Sequence, residues 1–277
     1  MTYKILALGG GGMKGILHLG ALKFLDKKFT FDEFYGCSVG SIVAVALAYK
    51  LDLQALERMS TKISSISKFT TFSLVELQNS FQKKGLFEMD LFENFILELI
   101  DSEQINLRDK NICDTPKKLK ICATNITKHT LTIFAGNIPI LKALRASCCI
   151  PLIFCPQIIN DSVYIDGGYL TNIIVDYVPT EDHEQTLFLS IIHDDPKITP
   201  ETIKDLSHLE FLYGMYKSSC IYERKKTFHK NNINLRYELP SGISDISEKQ
   251  CNEMISRGEE LTRRFFAQRS FQENIKC

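Results

Sequence analysis

The sequence predicts an α/β fold, a three-layer sandwich in which helices flank a largely parallel central sheet. Three observations carry that expectation. Short apolar runs of strand length recur along the chain. Near the N-terminus two of them end in glycine turns and pass directly into helical patterns. The second of those helices is apolar on every side, as a helix buried against a sheet must be.

The elements follow in order. Tyr3 to Leu8 reads as a buried first strand, and the loop "GGGGMKG" feeds a helix whose Ile16, Leu19 and Leu22 recur at helical spacing. After the turn residues Thr30 to Glu33, "FYGC" is a second strand that breaks at Ser38, and "SIVAVALAYKL" (Ser41 to Leu51) is the buried helix. "LDLQALERMSTKISSIS" reads as helical, whereas "SKFTTFSLVELQNSF" fits no single period. Gly85 marks a loop and Asp90 an N-cap before the amphipathic "LFENFILELI". "LKICATNI" and "TLTIFAG", joined by "TKH", form a strand pair, and a helix from Pro139 has to stop before Pro151. "SVYI" leads into Asp166-Gly167-Gly168, and "TLFLSII" (Thr186 to Ile192) is a further buried strand. A helix near Ser207 to Lys226, the strand "INLRYEL" and a helix near Ser247 to Gln268 complete the expectation. With neither repeats nor a low-complexity linker, one domain is expected, residues 3–180 forming its core and 181–277 completing it.

Composition narrows the function classes. The 277 residues are 44% apolar and 24% charged, and 33 basic residues balance 33 acidic ones, so charge gives no case for nucleic acid. Clusters such as Lys27-Lys28 and Arg224-Lys225-Lys226 are solvated faces or, on a sharper reading, contacts for anionic lipid headgroups. Nine irregularly spaced cysteines without a C-x-x-C pair indicate neither a disulfide framework nor a zinc site, and point to a reducing compartment. No metal or cofactor is expected. The apolar start is too short for a signal peptide, and no apolar run approaches the ~20 residues that span a bilayer. The expected location is intracellular, cytoplasmic or peripheral to a membrane.

Two glycine motifs carry the chemistry. Gly10, Gly12 and Gly15 fit G-x-G-x-x-G, a loop that presents bare N–H groups to a dinucleotide's phosphates or to an oxyanion. Gly36-Cys37-Ser38-Val39-Gly40 fits G-x-S-x-G, the strand-to-helix turn that exposes a nucleophilic serine. A dinucleotide fold wants an acid at the carboxyl end of its second strand, yet Asp32 and Glu33 precede that strand and Ser38 ends it. The glycines therefore face a nucleophile. Gly10, Gly11, Gly12 and Met13 become the oxyanion-hole residues, Gly11 and Gly12 foremost as donors, with Lys14 either supporting the anion or structural. A serine also needs a base. None of the six histidines sits in a motif; His193, ending "LFLSII", would give the chain order Ser38, Asp166, His193 of a triad hydrolase. Asp166-Gly167-Gly168 is the other source of a base, or simply a turn closed by an Asx bond.

Taken together, "GGGGMKG", "GCSVG", "ALRASCCIPLIFCP" and "DGG" resemble, in order, the motifs of the patatin-like phospholipase family. The resemblance covers about residues 3 to 175. It implies a serine acyl hydrolase with a Ser–Asp dyad and no catalytic histidine: Ser38 as nucleophile, Asp166 as base, and Gly15, Gly36, Gly40, Gly167 and Gly168 supporting the motifs. It also implies a lipid ester as substrate. The chain departs from the family where Asn172 is followed by Ile173, Ile174 and Val175 in place of Asn-x-Pro, which bears on loop shape. "CCIPLIF", Phe69, Phe72 and Phe81 would line an acyl channel or pack the core, and Phe69 and Phe72, if exposed, would dip into a membrane surface. Two alternatives stay open: an idle member of the fold that binds lipid or a partner, and a triad esterase using His193.

Overall fold

A computed structural model describes residues 2–63, 82–101, 103–171, 173–192, 198–206, 211, 212, 214, 215, 218, 229–238 and 246–275 of the chain. Strand β1 (Ile5–Leu8) leads through the glycine loop into α1 (Ile16–Leu25), and β2 (Glu33–Cys37) turns at Ser38 into α2 (Val39–Ala48). Then come α3 (Leu53–Ile63), β3 (Gly85–Phe87), α4 (Asp90–Asp101), β4 (Lys118–Asn125), β5 (Thr130–Phe134) and α5 (Ile140–Ser147). Strands β6 (Leu152–Phe154), β7 (Gln157–Ile159), β8 (Ser162–Asp166), β9 (Thr186–Ile192) and β10 (Asn232–Arg236) precede the long α6 (Glu248–Ile275).

The main sheet has the order β10-β9-β1-β2-β4-β8-β7, with β5 also on β4. Its run from β10 to β4 is parallel, and β5, β7 and β8 enter antiparallel. Burial on both faces explains the near-continuous apolar strands. In β1, Leu6 and Leu8 enter the larger core with α1 to α6, while Ile5 and Ala7 face a smaller cluster. In β9, Leu187, Leu189 and Ile191 divide from Phe188 in the same way. The smaller cluster is closed by the 3₁₀ turn Ile174–Tyr177 and its neighbours. The fold is thus the α/β class expected, a mostly parallel sheet flanked by helices.

One feature of register positions the site. Strand β4 takes two partners on a single edge: β2 pairs with Lys118 to Cys122, and β8 with Ala123 to Asn125, while β5 covers the opposite edge of Ile121 to Asn125. Cys37 therefore lies opposite Cys122, and Asp166 opposite the next residue, Ala123.

Several local expectations shift. Gly85 belongs to β3, which pairs with β6 in a separate two-stranded sheet, rather than to a loop. Asp90 is the first helical residue, not the cap, and α6 continues past Gln268 to Ile275. The whole segment "SKFTTFSLVELQNSF" and most of the helix expected near Ser207 to Lys226 lie outside the described residues.

Helices α1 and α6 meet at glycines. A Cβ on Gly20 would sit 2.0 Å from the Ile255 carbonyl oxygen, and one on Gly258 2.2 Å from that of Leu17. Phe24 stacks on Phe266 with centroids 5.6 Å apart, and Arg269 donates to the Tyr3 hydroxyl at 2.7 Å, tying α6 to the start of the sheet. Two effects oppose each other in Gly20→Ala. Helix propensity favours alanine by about 1 kcal/mol, but overpacking typically costs about 1–3 kcal/mol and here the obstacle is backbone, which does not rotate away. We expect a net loss of stability, read as a lower urea midpoint at unchanged slope.

Candidate active site

Ser38 occupies a backbone conformation that few residues with a side chain adopt, with φ 52° and ψ −130°. Such a position typically costs about 1–3 kcal/mol and persists only when its surroundings fix it. They do so from both sides. The Ser38 N–H donates to Ser147 Oγ at 2.8 Å, and that hydroxyl spends its own proton on the Cys122 carbonyl at 2.7 Å. The Ser38 carbonyl accepts from Ser41 Oγ at 2.5 Å and from the Ser41 N–H at 2.8 Å. Gly40 lets α2 press against the end of β1, since a Cβ there would lie 2.2 Å from the Leu8 carbonyl oxygen. Gly36, on the strand side of the turn, is as tightly confined by Ser41.

Asp166 ends β8, and its N–H donates to the Cys149 carbonyl at 2.8 Å. Its Oδ1 accepts from the Gly168 N–H at 2.7 Å, and its Oδ2 accepts from Ser38 Oγ at 2.6 Å. Ser38 and Asp166 are both buried, at 6% and 5% exposure. Below them the Gly167 carbonyl accepts from the Tyr177 hydroxyl at 2.7 Å and Thr124 Oγ1 at 3.3 Å. The turn is thus fixed at three successive residues. Around it, burial pushes the Cys37, Cys148 and Cys149 thiols upward, and the charge of Asp166 adds to the same shift. These sulfurs stay protonated near neutral pH, while the Ser38 hydroxyl is in direct contact with the carboxylate.

The glycine loop borders the elbow. A Cβ on Gly10 would lie 3.0 Å from Ser38 Cβ. The Gly11 carbonyl accepts from the Lys14 N–H at 3.1 Å, and because a trans peptide directs its C=O and N–H oppositely, the Gly12 N–H is turned away from that 3₁₀ turn. Gly12 itself needs to be glycine for its φ of 53°, and no heavy atom lies within 4 Å of where a Cβ would be. Met13 is half-buried against the core, and Lys14 is buried rather than solvated. Gly15 allows α1 to touch Val39, the first residue of α2.

Loop, elbow and acidic turn therefore converge. His193, Asn172, Phe69, Phe72 and Phe81 lie outside the described residues. Further residues emerge as supports: Ser147, Ser41, Thr124 and Tyr177, and Cys149 of "CCIPLIF" through its carbonyl. Ser147 had a signal, being the serine of "ALRASCC", but nothing local reveals which backbone it binds 109 residues away. Arg145 of the same segment turns elsewhere, to Asp90 at 2.9 Å, Glu93 at 2.8 Å and Gln157 at 2.8 Å, clamping α5 to α4 and β7. Among the described residues no helix is long and apolar enough to cross a membrane.

Comparison with known proteins bears on family and fold. The family described as patatin-like phospholipase matches residues 6–179. A protein of Invertebrate iridescent virus 6 named probable lipid hydrolase 463L is 30% identical, the match covering 83% of this chain and 92% of the viral protein. Lysophospholipase NTE1 of Yarrowia lipolytica is 27% identical across 61% of this chain, which amounts to only 11% of that much longer protein. Among solved structures, VipD from Legionella pneumophila superposes with a TM-score of 0.57 at 17% identity, over 97% of this chain and 67% of VipD. ExoU in its complex with SpcU from Pseudomonas aeruginosa gives 0.53 at 16%, over 96% of this chain and 52% of that one. These structural likenesses speak to the fold. The sequence match is what decides membership, since it spans the glycine loop, the elbow and the Asp-Gly-Gly turn in one stretch: the chain belongs to the patatin-like phospholipase family.

Proposed function

We propose that the protein is a lipid acyl hydrolase, a carboxylic ester hydrolase of the phospholipase A type, working through a Ser38 acyl-enzyme with Asp166 as base. The observation that carries the reading is the 2.6 Å hydrogen bond from Ser38 Oγ to Asp166 Oδ2, within reach for direct proton transfer. Ser38 Oγ attacks the ester carbonyl as its proton passes to Oδ2. The carbonyl oxygen becomes an oxyanion that the amides of Gly10, Gly11, Gly12 and Met13 receive, with the N-terminus of α2 adding its positive end. Collapse of the tetrahedral intermediate expels the alcohol, which takes the proton from Asp166. Water then repeats the sequence on the acyl-enzyme, delivering its proton to the same carboxylate and releasing the fatty acid.

An aspartate is a weak base for a hydroxyl, its reference pKa being about 3.9. Compensation comes from the neighbours. The elbow holds Oγ at the carboxylate, and the Gly168 N–H fixes Oδ1 so that Oδ2 alone faces the serine. Tyr169 and Leu170, exposed on the turn after Asp166, give an apolar character suited to acyl chains and to contact with a lipid surface. The name of the viral relative, a lipid hydrolase, supports the same substrate class.

In a fluorophosphonate assay the wild type is expected to label and Ser38→Ala to remain unlabelled. Asp166→Asn should lower kcat for a short-chain ester by about 10²–10⁴, while His193→Ala turns over near the wild-type rate. A collapse of His193→Ala alongside Asp166→Asn would favour the triad reading, in which Asp166 acts through the imidazole. Ser147→Ala strands the Ser38 N–H and the Cys122 carbonyl, each a loss of about 1–3 kcal/mol. We expect a lower melting temperature and a kcat reduced by at least about ten-fold, since a misplacement of about 1 Å costs on the order of 10²; Thr262→Ala, which removes a buried hydroxyl bonded to Gly258 within α6, supplies the comparison for destabilisation without loss of turnover.

A further inference from the structure

His18 is fully buried in the first turns of α1, and its Nε2 lies 2.8 Å from the carbonyl oxygen of Gly9. A carbonyl only accepts, so Nε2 carries the proton and Nδ1 is left with a bare lone pair. That Nδ1 is buried and has no hydrogen-bond partner among the described residues. For packing alone this is a poor choice of residue: a leucine or methionine would fill the space without burying an unsatisfied nitrogen. The ring's one bond must therefore account for its presence.

Gly9 is the residue from which the loop departs β1. Its N–H donates to the Leu189 carbonyl at 2.8 Å, and its carbonyl receives His18, so both polar groups are fixed. The Gly9–Gly10 peptide is planar and trans, so holding the Gly9 C=O towards α1 directs the Gly10 N–H the opposite way, to the elbow side. There the Gly10 N–H donates to the Cys37 thiol and Gly10 packs on Ser38 Cβ, so the loop's first amide is seated on the elbow strand. Two further glycines, Gly11 and Gly12, follow before Met13, and glycine has no side chain with which to hold itself in place.

We propose that His18 is a positioning residue: a neutral imidazole that clamps the Gly9 carbonyl and thereby sets the direction of the loop amides that receive the substrate's oxyanion. The inference rests on the acyl-hydrolase reading for its consequence, but the clamp itself is a property of the loop. Burial holds the imidazole's pKa down to about 4, so near neutral pH the clamp adds no charge beside the nucleophile. The ring is spoken for by Gly9, which separates its role from that of a general base.

The test compares His18→Met, which fills the volume but donates nothing, with His18→Gln, whose carboxamide nitrogen stands near the place of Nε2. Two readouts are taken: hydrogen–deuterium exchange of the peptide covering residues 9–15, and kcat and KM on a short-chain ester. In His18→Met the loop amides should exchange about ten-fold faster or more, and kcat should fall by about 10–10² at little-changed KM, in the range of a displaced oxyanion donor. His18→Gln should restore both to within a few-fold of wild type. Wild-type exchange and kcat in a folded His18→Met overturn the proposal. If His18→Met does not fold, a folded His18→Gln with fast loop exchange and low kcat overturns it, and one with protected loop amides supports it. Should the wild type itself hydrolyse no ester and resist the fluorophosphonate, the acyl-hydrolase reading fails, while the exchange measurement still decides the clamp.

Discussion

The arrangement depends on one exchange of partners along the edge of β4. Strand β2 runs beside it as far as Cys122, and from Ala123 onward the same edge is taken by β8 arriving from the opposite direction. Two strands that enter head-on along one edge must both stop where they meet. Their terminal residues, Cys37 and Asp166, then stand opposite neighbouring residues of a third strand, and the residue after Cys37 is Ser38. A hydroxyl and a carboxylate 128 residues apart in the chain are thereby brought to hydrogen-bonding distance by backbone register before any side chain adjusts. Side-chain attraction alone is a weaker device: a hydroxyl bonded to a carboxylate contributes about 1.5–3 kcal/mol, roughly the entropy of fixing one or two residues, and does not order two loops by itself.

Register fixes the approach, and the remaining supports fix the angle. The strained backbone at Ser38 is a high-energy conformation that its neighbours hold on both sides, through Ser147 on the amide and Ser41 on the carbonyl. Ser147 also bonds Cys122, the residue at which β2 yields to β8, so one hydroxyl joins the strand junction to the elbow. The buried cysteines complete the shell without competing chemically, since desolvation keeps them as thiols and the nearby carboxylate reinforces the effect. Their service is steric. A Cβ on Gly167 would lie 2.6 Å from Cys37 Sγ, so the thiol fills the space directly beneath the Asp-Gly-Gly turn.

What the sequence made legible was what short-range chemistry writes. Strands β1 and β9 are apolar on both faces, α2 follows its strand without a linker, and glycines mark the two turns where backbones crowd. Each of these is a statement about a few consecutive residues. The three-residue strands β3, β6 and β7 escaped notice because three residues carry no periodicity, and Gly85 in β3 reads locally as a breaker. The roles of His18 and Ser147 were hidden for a different reason. Each acts on a backbone group, Gly9 C=O or Ser38 N–H, and a backbone group leaves no mark in a sequence. Motifs located Ser38 and Asp166, but that they meet through the edge of β4 is a fact about three strands at once.

On the proposed reading, the absence of an imidazole between nucleophile and base changes what the fold has to supply. In a triad, a third residue orients the base, and the ring bridges whatever gap the serine and carboxylate leave. A direct pair has no such spacer, so Oγ and Oδ2 must be held at bonding distance by the main chain. Here each end of the pair is held by backbone contacts of its own: Gly168 N–H on Oδ1, Tyr177 and Thr124 on the Gly167 carbonyl, and Ser147 and Ser41 on the elbow. Cys37 sets the gap between them, since a larger side chain at that position would push the acidic turn away from the serine. The work of the missing histidine is thus distributed over hydroxyls and amides that never touch the substrate, and His18, buried beside the loop, is left to orient a carbonyl instead of moving a proton.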